Sequence, residues 1–179
     1  MTQFYTYRGF SLRRATLPTK VLISAFLATV ALAVAVGVVN YRLRTGLVPA
    51  GAARWYRGNA DAADPAAPLL FEKTPLELLD ATHPHLFGQA FLFFILCHLF
   101  ALTPVRPRFK LGIYIAAFLS VVVDSASPWL IRYVSPLFGV LQVAGTAVMV
   151  VVFLILVWVP LKEMWLTPRG AVEPRKVEV

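Results

Sequence analysis

The sequence predicts an all-α integral membrane protein, a bundle of four transmembrane helices with one short interfacial helix on the periplasmic side. The 179 residues are 59% hydrophobic and only 15% charged, with a mean hydropathy of +0.71, whereas a soluble domain is about half apolar and a quarter charged. The apolar residues are also concentrated in four runs of about 20 residues, the length that a helix needs to cross a bilayer.

These runs should be helices, because backbone groups surrounded by lipid tails must form their hydrogen bonds within their own segment. The predicted spans cover residues 20–41, 84–103, 111–131 and 136–159. Between and beside them lie an N-terminal segment (1–19), a long loop (42–83), a basic loop (104–110) and a polar tail (160–179). A small residue recurs every fourth position in the first span, which predicts close packing against another helix: Ala25, Thr29, Ala33 and Gly37.

The end of the long loop carries a helix-start signal. Thr74 fits the N-cap, Pro75 the first helical position and Glu77 the reciprocal cap three residues later. The sequence therefore predicts a short helix over residues 75–82 that lies near the membrane surface and precedes the second span.

Positive charge is distributed unevenly about the spans. Eleven of the seventeen Lys and Arg lie in or next to the N-terminal segment, the 104–110 loop and the tail, while the other six lie near five acidic residues. Because cytoplasmic segments of membrane proteins are enriched in Lys and Arg, this predicts a bacterial inner-membrane protein with both termini cytoplasmic and the long loop periplasmic.

Several functional classes are disfavoured. A net charge of +8 suggests a nucleic-acid partner only in a soluble protein, so the expected partners are the lipid bilayer and other membrane subunits or a second copy of the chain. The single cysteine, Cys97, excludes an intrachain disulfide and a CxxCH heme-attachment motif. The sequence contains no GxSxG, HExxH or nucleotide-binding glycine motif, and we predict no catalytic residues.

Asp124 is the outstanding polar residue within the spans, because an ionisable group in a bilayer is expensive and needs a function or a partner. It ends a stripe of small and polar residues at every fourth position: Gly112, Ala116, Ser120 and Asp124. His85, Gln89 and Gln142 are its predicted partners at similar depth. The cluster is interpreted either as a proton-linked, quinone or metal site, or as interhelical hydrogen bonding that fixes the bundle.

The three histidines suggest two kinds of cofactor. Asp80, His83 and His85 have the side chains that Zn or Cu ions prefer, which predicts a metal site at the start of the second span. His85 and His98 are candidate ligands of heme b, but thirteen residues separate them by roughly 20 Å along one helix. One heme would therefore need a second ligand from Met149, a partner subunit or a dimer. The cofactor-binding candidates are His85, His98, Asp124 and Gln142.

Two short motifs carry a family resemblance. The segments THPHLFG (82–88) and DSASPWL (124–130) resemble motifs of a group of small four-span bacterial membrane proteins. Some members are associated with electron-transfer proteins and carry a heme-type segment in the long loop, which this sequence lacks. The resemblance implies that His83, His85, Asp124 and Trp129 belong to one cluster.

These observations favour a non-catalytic membrane subunit of a larger, electron-transferring assembly, with His85, Asp124 and Gln142 in an interhelical cluster. One alternative is a heme- or metal-binding redox protein that uses His83 and His85 with Asp124. A second is a small transporter or channel, which the single buried acid disfavours.

Overall fold

The structure is a computed structural model that describes residues 11–59 and 69–167. Within these ranges the chain is helical, without strands, and forms five α-helices: α1 (Leu17–Thr45), α2 (Pro49–Arg57), α3 (Pro75–Ala101), α4 (Pro107–Tyr133) and α5 (Gly139–Trp165). Short 3₁₀ turns over Leu12–Arg14 and Pro136–Phe138 precede α1 and α5. α1, α3, α4 and α5 are long and apolar enough to cross a membrane, which confirms the predicted four-helix membrane bundle.

The predicted short helix over residues 75–82 is not a separate element. Residues 75–82 form the first two turns of α3, which continues through Pro84 to Ala101. Thr74 and Glu77 do form the predicted capping box: the Glu77 amide donates to Thr74 Oγ1 at 3.2 Å, and the Thr74 amide donates to Glu77 Oε2 at 2.8 Å. Pro84 removes the hydrogen bond to the Asp80 carbonyl, but α3 continues through it.

The short helix that the structure does contain is α2, inside the predicted loop. Gly46 ends α1 in the left-handed conformation, with φ +65°, so the chain reverses and α2 lies across this end of the bundle. Arg57 Nη1 donates to the carbonyls of Ile131 at 3.0 Å and Arg132 at 3.2 Å. Since the last carbonyls of a helix have no partner within it, Arg57 ties α2 to the end of α4. We call this the α2 end of the bundle.

The core of the bundle is built by α3, α4 and α5. Leu96 and Phe100 of α3, Ala117 and Val121 of α4, and Leu156 of α5 are almost completely buried among these helices. Their other faces expose apolar side chains such as Phe91, Leu119 and Leu154. A soluble domain would bury such faces, whereas lipid tails cover them in a bilayer without loss of free energy.

Helix α1 packs against this core from Ile23 to Val34. Leu27 is fully buried, with Ile23, Phe26 and Val30 partly buried beside it. At the end opposite α2, Lys20 Nζ donates to the carbonyl of Met164 at 2.6 Å, and Trp165 Nε1 donates to Ser24 Oγ at 3.0 Å. Helix α1 is therefore tied to the last turns of α5 at its start and to α2 at its end.

The small-residue stripe of α1 does not form the predicted helix contact. Ala25, Thr29, Ala33 and Gly37 are all exposed, and a Cβ added to Gly37 would find no atom within 4 Å. Small residues let backbones approach closely only where a second helix is present. The prediction was wrong for contacts within the described chain, because α5 and the other helices meet a different face of α1.

Candidate functional site

Asp124 of α4 lies at the centre of a polar cluster that joins α3, α4 and α5. Gln142 Nε2 and Thr146 Oγ1 of α5 donate to Asp124 Oδ1 at 2.9 and 3.2 Å. Gln89 Nε2 of α3 donates to Oδ2 at 3.3 Å. An ionised carboxylate only accepts hydrogen bonds, at about four positions, so three neutral donors suit the anion and leave part of its capacity open.

The cluster depends on a close approach of α4 and α5. A Cβ added to Gly145 would lie 2.6 Å from Cγ1 of Val123, so any larger residue here would force the valine side chain to shift. Gln142 and Thr146 flank Gly145 on one face of α5, and Asp124 follows Val123 on α4. The sequence thus places its hydrogen-bonding side chains where a glycine brings the two backbones together.

A cavity of about 710 Å³ lies beside the cluster, between the second half of α1 and the bundle of α3, α4 and α5. Its wall includes Val34, Gly37, Asn40, Tyr41 and Arg44 of α1; Trp55 and Tyr56 of α2; Ala81, Thr82, His85 and Gln89 of α3; Asp124, Ser125 and Pro128 of α4; and Gln142, Thr146 and Met149 of α5. A volume of this size is typical of sites for small organic molecules. The cavity arises because α1 leaves the bundle after its first half.

The rim of the cavity at the α2 end is built around Trp55. The guanidinium of Arg44 lies 5.0 Å from the centroid of a Trp55 ring, and the ammonium of Lys73 lies 5.1 Å from it. Lys73 also forms a 2.8 Å ion pair with Glu77 on the first turn of α3. A cation is attracted to the face of an aromatic ring. Together with the ion pair, these contacts therefore connect α1, α2 and the start of α3.

Tyr56 lies at the inner side of α2, against the cavity. Burial raises the pKa of its phenol, and the negative charge of Asp124 raises it further. The phenol therefore stays protonated at neutral pH and can donate a hydrogen bond into the cavity.

Two of the three predicted partners of Asp124 contact it. Gln89 and Gln142 donate to the carboxylate, whereas His85 lines the same cavity and is exposed without a hydrogen bond to Asp124 in the described structure. Thr146 takes the place expected for His85. Its position four residues after Gln142 was the available signal, since i and i+4 side chains share one helix face.

The predicted metal site is not assembled. Across residues 11–59 and 69–167, no three His, Cys, Asp or Glu side chains form a group that could hold a metal ion. Asp80 and His85 line the cavity, but His83 does not, because consecutive and near-consecutive positions diverge around a helix. The continuous α3 through Pro84 fixes that divergence.

The two candidate heme ligands face different surroundings. His98 is exposed, and its Nδ1 lies 2.9 Å from the carbonyl oxygen of Phe94. The ring centroids of His98 and Phe94 are 4.2 Å apart. It does not line the cavity that His85 lines. The structure therefore separates His98 from His85, Asp124 and Gln142. The thirteen-residue spacing of the two histidines along one helix had indicated this separation.

The residues that sequence reasoning missed come from α1 and α2. Tyr41, Arg44 and Tyr56 line the cavity, although none is part of a motif. Their signal was weak: an aromatic residue near the end of a span is ordinarily an interface anchor.

The two motif segments are joined by one direct contact. Trp129 Nε1 donates to Thr82 Oγ1 at 2.9 Å, which links the first residue of THPHLFG to the tryptophan of DSASPWL. The motifs therefore share the face between α3 and α4 at the α2 end, next to the Asp124 cluster.

Comparison with known proteins assigns a family. Neither the curated proteins nor the solved structures include a match to the chain. A family model described as a transmembrane helical domain matches residues 46–171, which are more than two thirds of the chain. The match begins after α1 and includes Gln89, Asp124, Gln142 and Thr146. The chain therefore belongs to the family described as a transmembrane helical domain.

Proposed function

We propose that this protein is a non-catalytic membrane subunit that holds a lipid-soluble molecule in the cavity between α1 and the rest of the bundle. The single observation that carries the proposal is the position of the Asp124 cluster in the wall of a 710 Å³ cavity. A mostly apolar cavity with a few convergent polar groups is the usual form of a small-molecule site.

The hydrogen bonding of Asp124 supports a binding role rather than a catalytic one. Its described donors are two amides and a hydroxyl, and none of these is a base or acid that could exchange a proton with it at neutral pH. Such a carboxylate is fixed in place and suited to orienting a bound group.

Membership of a larger, electron-transferring assembly is the part of the proposal that rests on the motif resemblance. The structure adds a compatible feature: α1 leaves most of its surface uncovered by the chain, so lipid or another subunit must cover it. Purification in a mild detergent, followed by identification of co-purifying subunits, tests this part. A chain that purifies alone and in one form would contradict it.

We further propose a bacterial inner-membrane location with the α2 end periplasmic, as the charge distribution predicts. With Cys97 replaced by serine, Arg54→Cys in α2 should react in intact cells with a maleimide that cannot cross membranes. Arg106→Cys, before α4, should react only after the cells are permeabilised. Both positions are exposed, so access differs only by membrane side, and the opposite labelling pattern would reverse the orientation.

Filling the cavity from the α1 side should remove its occupant. Ala33 lines the cavity, so a phenyl ring in Ala33→Phe would occupy part of it without contacting the polar cluster directly. Solvent extraction of the purified variant, with mass spectrometry of the extract, should recover several-fold less of any lipophilic molecule that wild type retains.

The matched control is Ala25→Phe, the same change two turns earlier on the same face of α1. Ala25 is exposed and does not line the cavity, so this variant should retain the molecule as wild type does. Equal loss from both variants would mean that the molecule binds the lipid-facing surface. Absence of any retained molecule from wild type would overturn the binding role.

A further inference from the structure

We propose that the molecule held in the cavity presents a positively charged, hydrogen-bond-donating head group, a primary ammonium, to Asp124. This inference rests on the proposed binding function and specifies the chemistry of its ligand.

The unpartnered buried atoms of the described residues near Asp124 are two amide oxygens, which only accept, and two hydroxyls, one of which is Oη of Tyr41 in the cavity wall. Within the described part of the chain, Oε1 of Gln89 and Oε1 of Gln142 are buried and receive no hydrogen bond. The Oγ of Ser125, next to Asp124, is also buried without a partner and can accept as well as donate. Buried acceptors of this kind are costly unless a donor reaches them, so a donating head group suits the Asp124 side of the cavity.

The orientation of the two amides follows from the carboxylate. An amide NH₂ turned toward Asp124 gives an attractive contact, whereas an amide oxygen turned toward it would face a negative charge. The anion therefore fixes both NH₂ groups inward and leaves both Oε1 atoms to be satisfied by something else. A neutral carbonyl compound cannot satisfy them, because it brings only acceptors.

The charge of the cluster is also unbalanced. The ion pairs of the described residues are Lys73 with Glu77 and Arg132 with Glu72, and neither includes Asp124. Arg44 and Lys73 line the cavity, but both lie over Trp55 at the rim, and Glu77 and Asp80 line the cavity with them. A carboxylate in a low-dielectric cavity binds a cation more strongly than a surface carboxylate does.

The size of the cavity selects an organic cation. A bare metal ion fits a small cage of several oxygen ligands, whereas 710 Å³ walled by Val34, Tyr41 and Met149 has room for an apolar body behind the head group. An ammonium carries three donors and can give one to the acceptor capacity that the three neighbours of Asp124 leave open.

The test compares 4-phenylbutylamine, which is protonated at neutral pH, with 4-phenylbutanol, its neutral counterpart of similar size. Binding to the purified protein in a non-ionic detergent is measured by calorimetry. We expect the ammonium to bind about tenfold more tightly than the alcohol, since hydrogen bonds to charged groups are stronger by about 1–1.5 kcal/mol. Asp124→Asn should remove this preference, while Glu72→Gln, which removes an exposed carboxylate that does not line the cavity, should keep it.

A second measurement needs no variant. A lipid-soluble carbodiimide modifies buried carboxyl groups, and mass spectrometry can follow the loss of unmodified Asp124, which counts both the carbodiimide adduct and any amide that the activated carboxyl group forms with the amine. The ammonium should slow this modification about tenfold and the alcohol much less.

Equal binding of the two probes would overturn the ammonium assignment and leave the proposed cavity function standing, whereas no binding of either probe would count against both. Protection of Asp124 by Na⁺, with no response to the amine, would also overturn the organic head group.

Discussion

Replacing Gly51 with alanine should displace α2 from the end of α1 and lower the stability of the bundle by about 3 kcal/mol. A Cβ at this position would lie 1.8 Å from the carbonyl oxygen of Thr45 and 2.7 Å from its carbon. Both are backbone atoms at the end of α1, so no side chain can move aside. The thermal midpoint of the purified protein, followed by circular dichroism, should fall by several degrees.

Gly37→Ala is the matched control for that substitution. Gly37 is also helical, and a Cβ there meets nothing within 4 Å. Alanine is favoured over glycine inside a helix by about 0.5–1 kcal/mol, so this variant should be as stable as wild type or slightly more stable. If Gly51→Ala and Gly37→Ala have the same thermal midpoint, then α2 does not pack on α1 as described.

The same contact explains why α2 was absent from the sequence prediction. Pro49 at the first turn and Gly58 after the last are ordinary helix boundaries, so a local signal existed. However, a helix of nine residues is too short to be stable alone and forms only through tertiary contacts. Gly51 contacts the backbone of Thr45, and Arg57 donates to carbonyls at the end of α4. Helix propensity is a local property and cannot reveal these tertiary contacts.

The polar cluster was more predictable than the cavity beside it. Asp124 stood out because an acid within an apolar run demands a partner, and the helical repeat correctly directed Gln89 and Gln142 toward it. His85 was expected for the same reason, but its side chain is exposed on α3 and therefore needs no partner within the protein. Sequence periodicity predicts the helix face on which a side chain lies, but it does not predict whether that side chain reaches a given partner.

The cavity could not have been predicted, because it depends on the path of α1. The small residues Ala25 to Gly37 indicate a contact face, yet in a bilayer apolar and small residues are tolerated against lipid as well as against a helix. What positions α1 is the pair of end contacts, Lys20 with Met164 and the reversal at Gly46. A helix held at its two ends can stand away from the bundle between Gly37 and Arg44, and there the cavity opens.

Removing the carboxylate of Asp124 should have the second large effect. Asp124→Ala leaves the amides of Gln89 and Gln142 without the acceptor that they share, and each buried unpaired donor costs about 1–3 kcal/mol. Loss of a buried charge offsets part of this, since ions are expensive to desolvate. We therefore expect a net loss of about 2–4 kcal/mol, well above the average of about 0.6 kcal/mol for a single interhelical hydrogen bond in a membrane protein.

A double-mutant cycle with Gln142→Ala separates the two contributions. If the 2.9 Å bond couples the residues, the double variant should lose about 1–2 kcal/mol less than the sum of the single variants. Asp80→Ala is the control, because this exposed carboxylate lines the cavity outside the cluster and should change stability by less than about 0.5 kcal/mol. Strictly additive losses, or an Asp124→Ala variant as stable as Asp80→Ala, would mean that the cluster does not hold α4 and α5 together. The glycine contact at Gly145 would then be what fixes the crossing.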